Sequence, residues 1–253
     1  MLTEIILTAK IGSFTVMRMP GFKYCSGRRL VSYADMLITD IDYELYKTLY
    51  TEERITVRFG YRTGEQAEKH FTVTGISAYS KDTVRIIALG EEYPLVSTFI
   101  TESFNNEQPA AIIRHLASIA GLQTEVINIT EEPLPHIIFS NVTLFQALQQ
   151  LRNIVLRNGS TDDNDFWMYD NKLNWGSHRH PVASRAAVYG NIISHKVKKD
   201  GMNLLELPLT PLVRHSETIS ISDSRRAKQG NFTINAVKHI FDGAETRTWC
   251  EYR

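Results

Sequence analysis

Apolar and polar residues alternate along three short runs between Glu53 and Leu89, and much of that pattern is written again near the other end of the chain. In the first copy Ile55 and Val57 oppose Thr56 and Arg58, a polar loop follows, and Phe71, Val73 and Ile76 lead to a turn at Lys81-Asp82 and a last run, Thr83 to Leu89. In the second, Ile219 and Ile221 oppose Ser220 and Ser222, and Phe232, Ile234 and Val237 lead to a turn at Asp242-Gly243 and a last run, Thr246 to Tyr252. A period of two places successive side chains on opposite faces of a strand, so each copy predicts a three-strand meander. The matching order of strand, loop, strand, turn and strand points to a duplication.

The remaining pattern divides the chain. Leu2 to Leu7, Phe14 to Met19 and Leu30 to Ile41 read as strands punctuated by Gly12, Pro20-Gly21 and Gly27, and Asp42 caps a short helix through Tyr43, Leu45, Tyr46 and Leu49. The pattern loosens from 91 to 109. A helix follows, with Asn106 as cap, Pro109 in its first turn, Ile113, Leu116, Ala117 and Ala120 at helical spacing, and Gly121 as stop. Extended segments come at Glu125 to Ile129 and Ile137 to Phe139. A second helix has Ser140 or Asn141 as cap, an apolar stripe of Leu144, Ala147, Leu148, Leu151 and Val155, and Asn158-Gly159 as its end. A hairpin turns at Asp170-Asn171 between Phe166 to Tyr169 and Lys172 to Trp175; its Trp175 joins Leu144, Leu148 and Leu151 as the expected core of this part. After a linker at 177 to 181, a further hairpin runs Val188 to Lys198 and Met202 to Leu209 around Asp200-Gly201. The expected fold is α+β and mainly β: a small β-barrel over 1–95, an α/β insert over 96–184, and a second, similar barrel over 185–253.

Composition is that of an ordinary folded chain of 253 residues, 43% hydrophobic and 22% charged. Its 28 basic and 28 acidic residues balance, which gives no global field for nucleic acid or an anionic membrane and no expectation of sequence-specific nucleic-acid binding. Charge is concentrated only locally, at Lys196, Lys198 and Lys199 and at Arg225, Arg226 and Lys228. Lys196 and Lys198 share one face of a strand, which suits an acidic or phosphate-bearing partner and equally suits shielding of a strand edge. Lys196, Lys198, Arg225 and Arg226 are the candidate interface residues. The two cysteines, Cys25 and Cys250, form no disulfide framework or zinc knuckle. The short apolar start is unlike a signal peptide and no run is long enough to span a membrane, so synthesis in the cytoplasm and no stable membrane insertion are expected.

Catalytic chemistry finds little support. Gly-rich phosphate loops and the G-x-S-x-G elbow are absent. The carboxylate pairs Glu52-Glu53, Glu91-Glu92 and Glu131-Glu132 are adjacent residues whose side chains diverge, unlike the facing pair of a glycosidase. His178 and His180 share a face only if extended, and no third ligand lies near them. The run Asp162, Asp163, Asn164, Asp165 lacks the glycine and glutamate of an EF-hand loop. No enzyme activity, metal or cofactor is expected. Trp167 and Trp175 suit core packing, or stacking on a sugar if exposed.

The segments ITVRFGY, HFTVTGISAYSKDTVRIIALGEEYPL, AAIIRHLASIAGL, NVTLFQALQQLRNIV with DFWMYDNKLNW, and GNFTINAVKHIFDGAETRTWCEYR together resemble the baseplate hub proteins of bacteriophage tails. That group includes the late-control D proteins, the Mu-like hubs and the N-terminal part of type VI secretion spikes. The resemblance covers most of the chain outside 1–50 and 177–205. It implies two related barrels and an α/β insert in a homotrimeric ring, joining the tail tube above to the spike below within the baseplate and lining a channel for genome or effector passage. Two departures stand out: Pro211-Leu212 replaces the Pro-Gly that often precedes the second barrel, and the sequence ends at Arg253, directly after the last strand, with no expected spike, lysozyme or fibre domain. The alternative expectation is a peptidoglycan- or glycan-binding module using hairpin aromatics.

Overall fold

The computed structural model describes residues 4–127, 129, 132–157, 164–176, 192–197, 201–226, 228–243 and 245–253. In chain order the elements are β1 (Ile5–Ile11), β2 (Phe14–Val16), β3 (Gly21–Gly27), β4 (Tyr33–Thr39), α1 (Glu44–Thr48), β5 (Arg54–Tyr61), β6 (Gln66–Ser80), β7 (Thr83–Leu89), α2 (Tyr93–Ser97) and β8 (Phe99–Glu107). They continue with α3 (Pro109–Ile119), β9 (Gln123–Ile127), β10 (Leu134–Thr143), α4 (Leu144–Arg157), β11 (Asp165–Tyr169), β12 (Lys172–Gly176), β13 (Ser194–Lys196), β14 (Asn203–Pro208), β15 (Thr218–Asp223), β16 (Lys228–Asp242) and β17 (Glu245–Tyr252). The protein is mainly β with a few helices. Two compact units result, one of Met1–Gly27, Val31–Gly90 and Arg179–Arg253, the other of Arg28–Leu30 and Glu91–His178.

The first unit holds a 12-stranded sheet, ordered β13-β14-β17-β16-β3-β4-β7-β6-β5-β1-β2 with β15 bonded to β16. Alternation drives it: the inward residues of β4 (Ala34, Met36, Ile38), β5 (Ile55, Val57, Phe59) and β7 (Val84, Ile86, Ala88) are almost wholly buried in one cluster. A second cluster gathers Leu205, Leu207, Ile219, Ile221, Ile234, Val237, Cys250 and Tyr252. β3 fills the stretch that the sequence presented as glycine punctuation. Its Gly21 is opposite Leu37, where a Cβ would stand 3.1 Å from Leu37 Cδ1, so this glycine serves close strand approach. The short helix also differs in its start. Tyr43 occupies the cap position, and the Asp40 carboxylate, two residues before the expected Asp42, accepts from Leu45 N at 3.2 Å and Tyr46 N at 2.9 Å.

The second unit joins a two-stranded ribbon, β8 with β10, to a three-stranded sheet in which β12 pairs antiparallel with β11 and parallel with β9. α3 and α4 pack with these strands around Leu116, Leu148, Phe166 and Trp175. α3 ends as its glycine predicts: Gly121 has φ +66°, its N–H bonds Ser118 O and that of Leu122 bonds Ala117 O. Its start does not follow the prediction, because Asn106 lies in β8 and Gln108 precedes the helix. The cap of α4 is Thr143 rather than Ser140 or Asn141, which belong to β10. Thr143 Oγ1 accepts from Gln146 N at 3.2 Å while Gln146 Oε1 accepts from Thr143 N at 3.0 Å, a reciprocal capping box. The expected helix end at Asn158-Gly159 lies outside the described residues.

Candidate assembly surface

The duplication extends to individual hydrogen bonds. β5, β6 and β7 pair in the same way as β15, β16 and β17, and the long strands β6 and β16 each have 15 residues whose two halves bond to different partners. Each long strand carries a bulge at the same place, between Val73 and Gly75 and between Ile234 and Ala236. Each meander is entered through a residue of positive φ, Glu52 at 73° and Ser216 at 65°. Glu52 N donates to Val73 O at 2.8 Å and Val73 N to Glu53 O at 2.9 Å; Ser216 N donates to Ile234 O at 2.7 Å and Ile234 N to Glu217 O at 2.9 Å. Two independent positive-φ non-glycine residues at matching positions are hard to obtain by chance, since each is an uncommon backbone state. β4 flanks β7 as β14 flanks β17, and β3 flanks β4 as β13 flanks β14. The repeat therefore has five strands, two more than the sequence pattern revealed. β16 bonds to β3 from Ala236↔Gly27 to Phe241↔Phe22, which splices one repeat to the other.

The two repeats fill one position with different chemistry. In the first, Phe22 and Phe59 pack at 5.5 Å between ring centroids. By strand register their counterparts are His195 and Asp223, and Tyr252 stands where the first repeat has Ala88. Asp223 Oδ2 lies 2.7 Å from His195 Nδ1, and His195 Nε2 lies 2.6 Å from Tyr252 Oη, with all three residues buried. A carboxylate only accepts, so Nδ1–H donates to Asp223, and in the neutral imidazole Nε2 accepts from the tyrosine hydroxyl. Burial and the Asp223 carboxylate push the Tyr252 hydroxyl up to about 12, which keeps it a donor. A hydrogen-bonded chain thus replaces an aromatic contact.

His195 also lines a depression of about 360 Å³, together with Ile193, Ser194, Lys196, Asp223 and Arg226. The structure brings Lys196 on β13 and Arg226 in the turn after β15 to the same depression, both exposed. Lys198 and the side chain of Arg225 lie outside what is described, as do His178, His180, Asp162 and Asp163. Asp165, from the acidic run, is held by Arg152 at 2.9 Å and Arg29 at 3.3 Å. Leu144, Leu148, Leu151 and Trp175 are fully buried in one cluster of the second unit. Trp167 is buried beneath the Arg28 guanidinium, 4.0 Å above its ring. No helix among the described residues is long and apolar enough to cross a membrane. The sequence pattern did not single out His195, Asp223 or Tyr252, because their pairing becomes visible only when the two repeats are aligned strand by strand.

The fold is that of phage tail proteins and of a related secretion component. The prophage MuSo2 43 kDa tail protein from Shewanella oneidensis is similar at TM-score 0.68 with 12% identity, over 99% of this chain and 97% of that one. The tail protein from Neisseria meningitidis MC58 is similar at 0.71 with 10% identity, over 98% of this chain and 96% of that one. The E. coli c3393 protein, a component of the type VI secretion system with structural similarity to the T4 tail proteins gp27 and gp5, is similar at 0.68 with 10% identity, over 96% of this chain and 76% of that one. The resemblance to tail hubs and secretion spikes read from the sequence thus holds at the level of fold. No protein-family model matches the sequence. No curated protein matches it either.

Proposed function

We propose that the protein is a structural, non-enzymatic hub of a phage tail or phage-like injection machine, a homotrimeric ring between a sixfold tail tube and a threefold spike. The observation that carries this reading is the five-strand repeat, present twice with the same strand order and a shared bulge, departing only at a second bulge in β6 between Ala78 and Ser80, and spliced by β16 and β3. Three chains with two such repeats present six near-equivalent modules to the tube and three whole subunits to the spike. In this reading residues 1–95 and 185–253 supply the alternating modules and 96–184 the insert, and the ring lines a channel for genome or effector passage. The chain is made in the host cytoplasm and joins other baseplate proteins in the virion tail. Lys196, Lys198, Arg225 and Arg226 serve contacts with neighbouring subunits. The alternative, a glycan-binding module, relied on exposed hairpin aromatics, and Phe166, Trp167, Tyr169 and Trp175 are at most 2% exposed. Light scattering across a concentration series tests the assembly: a mass of three 28.9 kDa chains is expected, and a monomer at every concentration, with or without tube and spike proteins, overturns it.

A further inference from the structure

The first repeat carries a hairpin and a helix that the second lacks. β1 and β2 extend the sheet beyond β5, whereas β15, the counterpart of β5, bonds only to β16 among the described residues. α1 stands between β4 and β5, whereas the matching connection between β14 and β15, residues 209–217, holds no helix. These additions line one groove of about 400 Å³, with residues 14–18 on one wall and residues from 38–45 on the other. The walls meet just past the end of β2, where Thr39 N donates to Arg18 O at 3.2 Å. Of the lining, Val16, Ile38 and Leu45 are buried, while Phe14, Met17 and Ile41 are exposed, the last two at 71% and 65%. The backbone of β2 is open as well. Its turn, Gly12-Ser13, has two residues, so the flanking pair Ile11↔Phe14 is hydrogen-bonded and the next pair, Lys10↔Thr15, is not. The Thr15 N–H and C=O therefore point away from β1, and no backbone bond among the described residues takes them. An open strand edge beside exposed apolar side chains calls for a neighbour.

We propose that the groove takes an extended basic segment of a partner chain, which adds a strand to the outer edge of β2 and is present once per copy of this protein. The proposal rests on the hub reading and specifies how one partner attaches. Thr15 supplies a backbone donor and acceptor, and Phe14, Met17 and Ile41 supply apolar contacts for alternate side chains of the incoming strand. Charge sets the chemistry of the rest. Asp40, Asp42 and Glu44 stand in the lining against the single guanidinium of Arg18. The Asp40 carboxylate is committed to Leu45 N and Tyr46 N. Asp42 and Glu44 are exposed and in no ion pair among the described residues; Lys47 Nζ donates to the Asp42 carbonyl, not to its carboxylate. The segment therefore alternates apolar residues with lysine or arginine. The repeats set the stoichiometry. A surface present in both repeats recurs six times in a ring of three chains, whereas a groove whose two walls belong to the first repeat alone recurs three times. The partner is accordingly a threefold component, on the spike side of the hub rather than the tube side.

A labelled peptide of alternating valine and lysine, titrated into the full chain and followed by fluorescence anisotropy, tests this. One control peptide has glutamate in place of lysine; another has every backbone nitrogen methylated, so that it cannot donate. The lysine peptide is expected to bind at one per chain, about tenfold or more tighter than either control. Asp42→Asn with Glu44→Gln should erase the preference for lysine over glutamate. Thr15→Pro should abolish binding with little change in melting temperature, because it removes a donor that β1 does not use. The methylated peptide makes the same test without altering the protein. Equal binding of all three peptides, binding that survives Thr15→Pro, two peptides per chain, or no binding overturns the proposal. Native mass, measured in parallel, separates it from the hub reading. A trimer that binds no peptide keeps the ring and loses the groove. A monomer at every concentration that binds the peptide keeps the strand addition and loses the threefold partner. An oligomer that the peptide disperses puts a second copy in the groove and overturns the separate partner.

Discussion

At the scale of single residues, buried polar groups decide where the protein is sensitive. Removing the Asp223 carboxylate leaves His195 and Tyr252 buried with a broken chain of hydrogen bonds, so Asp223→Ala should cost about 1–3 kcal/mol, read by denaturant unfolding. The triple variant His195→Phe, Asp223→Phe, Tyr252→Ala copies the first repeat and should recover most of that loss; a triple variant no better than the single would contradict the equivalence of the repeats. His239 makes a second case. Burial, with a smaller contribution from Lys69, holds its pKa down at about 3, against 6.5 for a free imidazole. The folded protein therefore keeps the ring neutral while the unfolded chain takes up a proton near pH 6.5. Its contribution is complete above that value and is lost as pH falls toward 3, by roughly 1.4 kcal/mol per pH unit. His239→Ala, which matches Ala78, should be less stable at neutral pH yet show a flatter decline below 6.5. Cys250 gives a simple check, since burial pushes its thiol up to about 12 while Cys25 is partly exposed. A thiol reagent should leave Cys250 unmodified in the native protein and reach it after unfolding.

Among elements, α4 offers the sharpest test of the second unit. Leu148 is fully buried in the cluster with Trp175 and Phe166, so Leu148→Ala should lower stability by about 2–5 kcal/mol, and an unchanged melting temperature would contradict the packing. This helix and the meanders were legible in the sequence because long periodic runs leave a strong pattern. The Asp170-Asn171 hairpin was too, and both turn residues take positive φ, 51° and 60°. β3 was hidden because Gly21 and Gly27 read as breaks, although Gly21 serves close approach to Leu37. β8 was hidden because Glu102, Asn105, Asn106 and Glu107 interrupt its apolar alternation, and all of them but the half-buried Glu102 are exposed. Caps were misplaced by two or three residues, since Asp40, Gln108 and Thr143 are chosen by the geometry of the chain entering each helix. The candidate surface was partly legible: Lys196 and Arg226 could be picked out by charge, while His195, Asp223 and Tyr252 come together only once the two repeats are aligned.

For the whole molecule, the central claim is that one chain carries two copies of a five-strand module and that three chains complete a ring of six. Pairing of β16 with β3 joins the two modules within the chain. The differences between the copies, Phe22 and Phe59 against His195 and Asp223, predict that the six modules are equivalent in backbone and distinguishable in side chains. Electron microscopy of the assembled particle, averaged without imposed symmetry, measures this most directly. The account predicts a ring of six similar β modules around an axial channel, threefold rather than sixfold once side chains are visible, with three copies of this chain. A ring with another number of chains, or two modules per chain whose five strands fail to superpose, would contradict it.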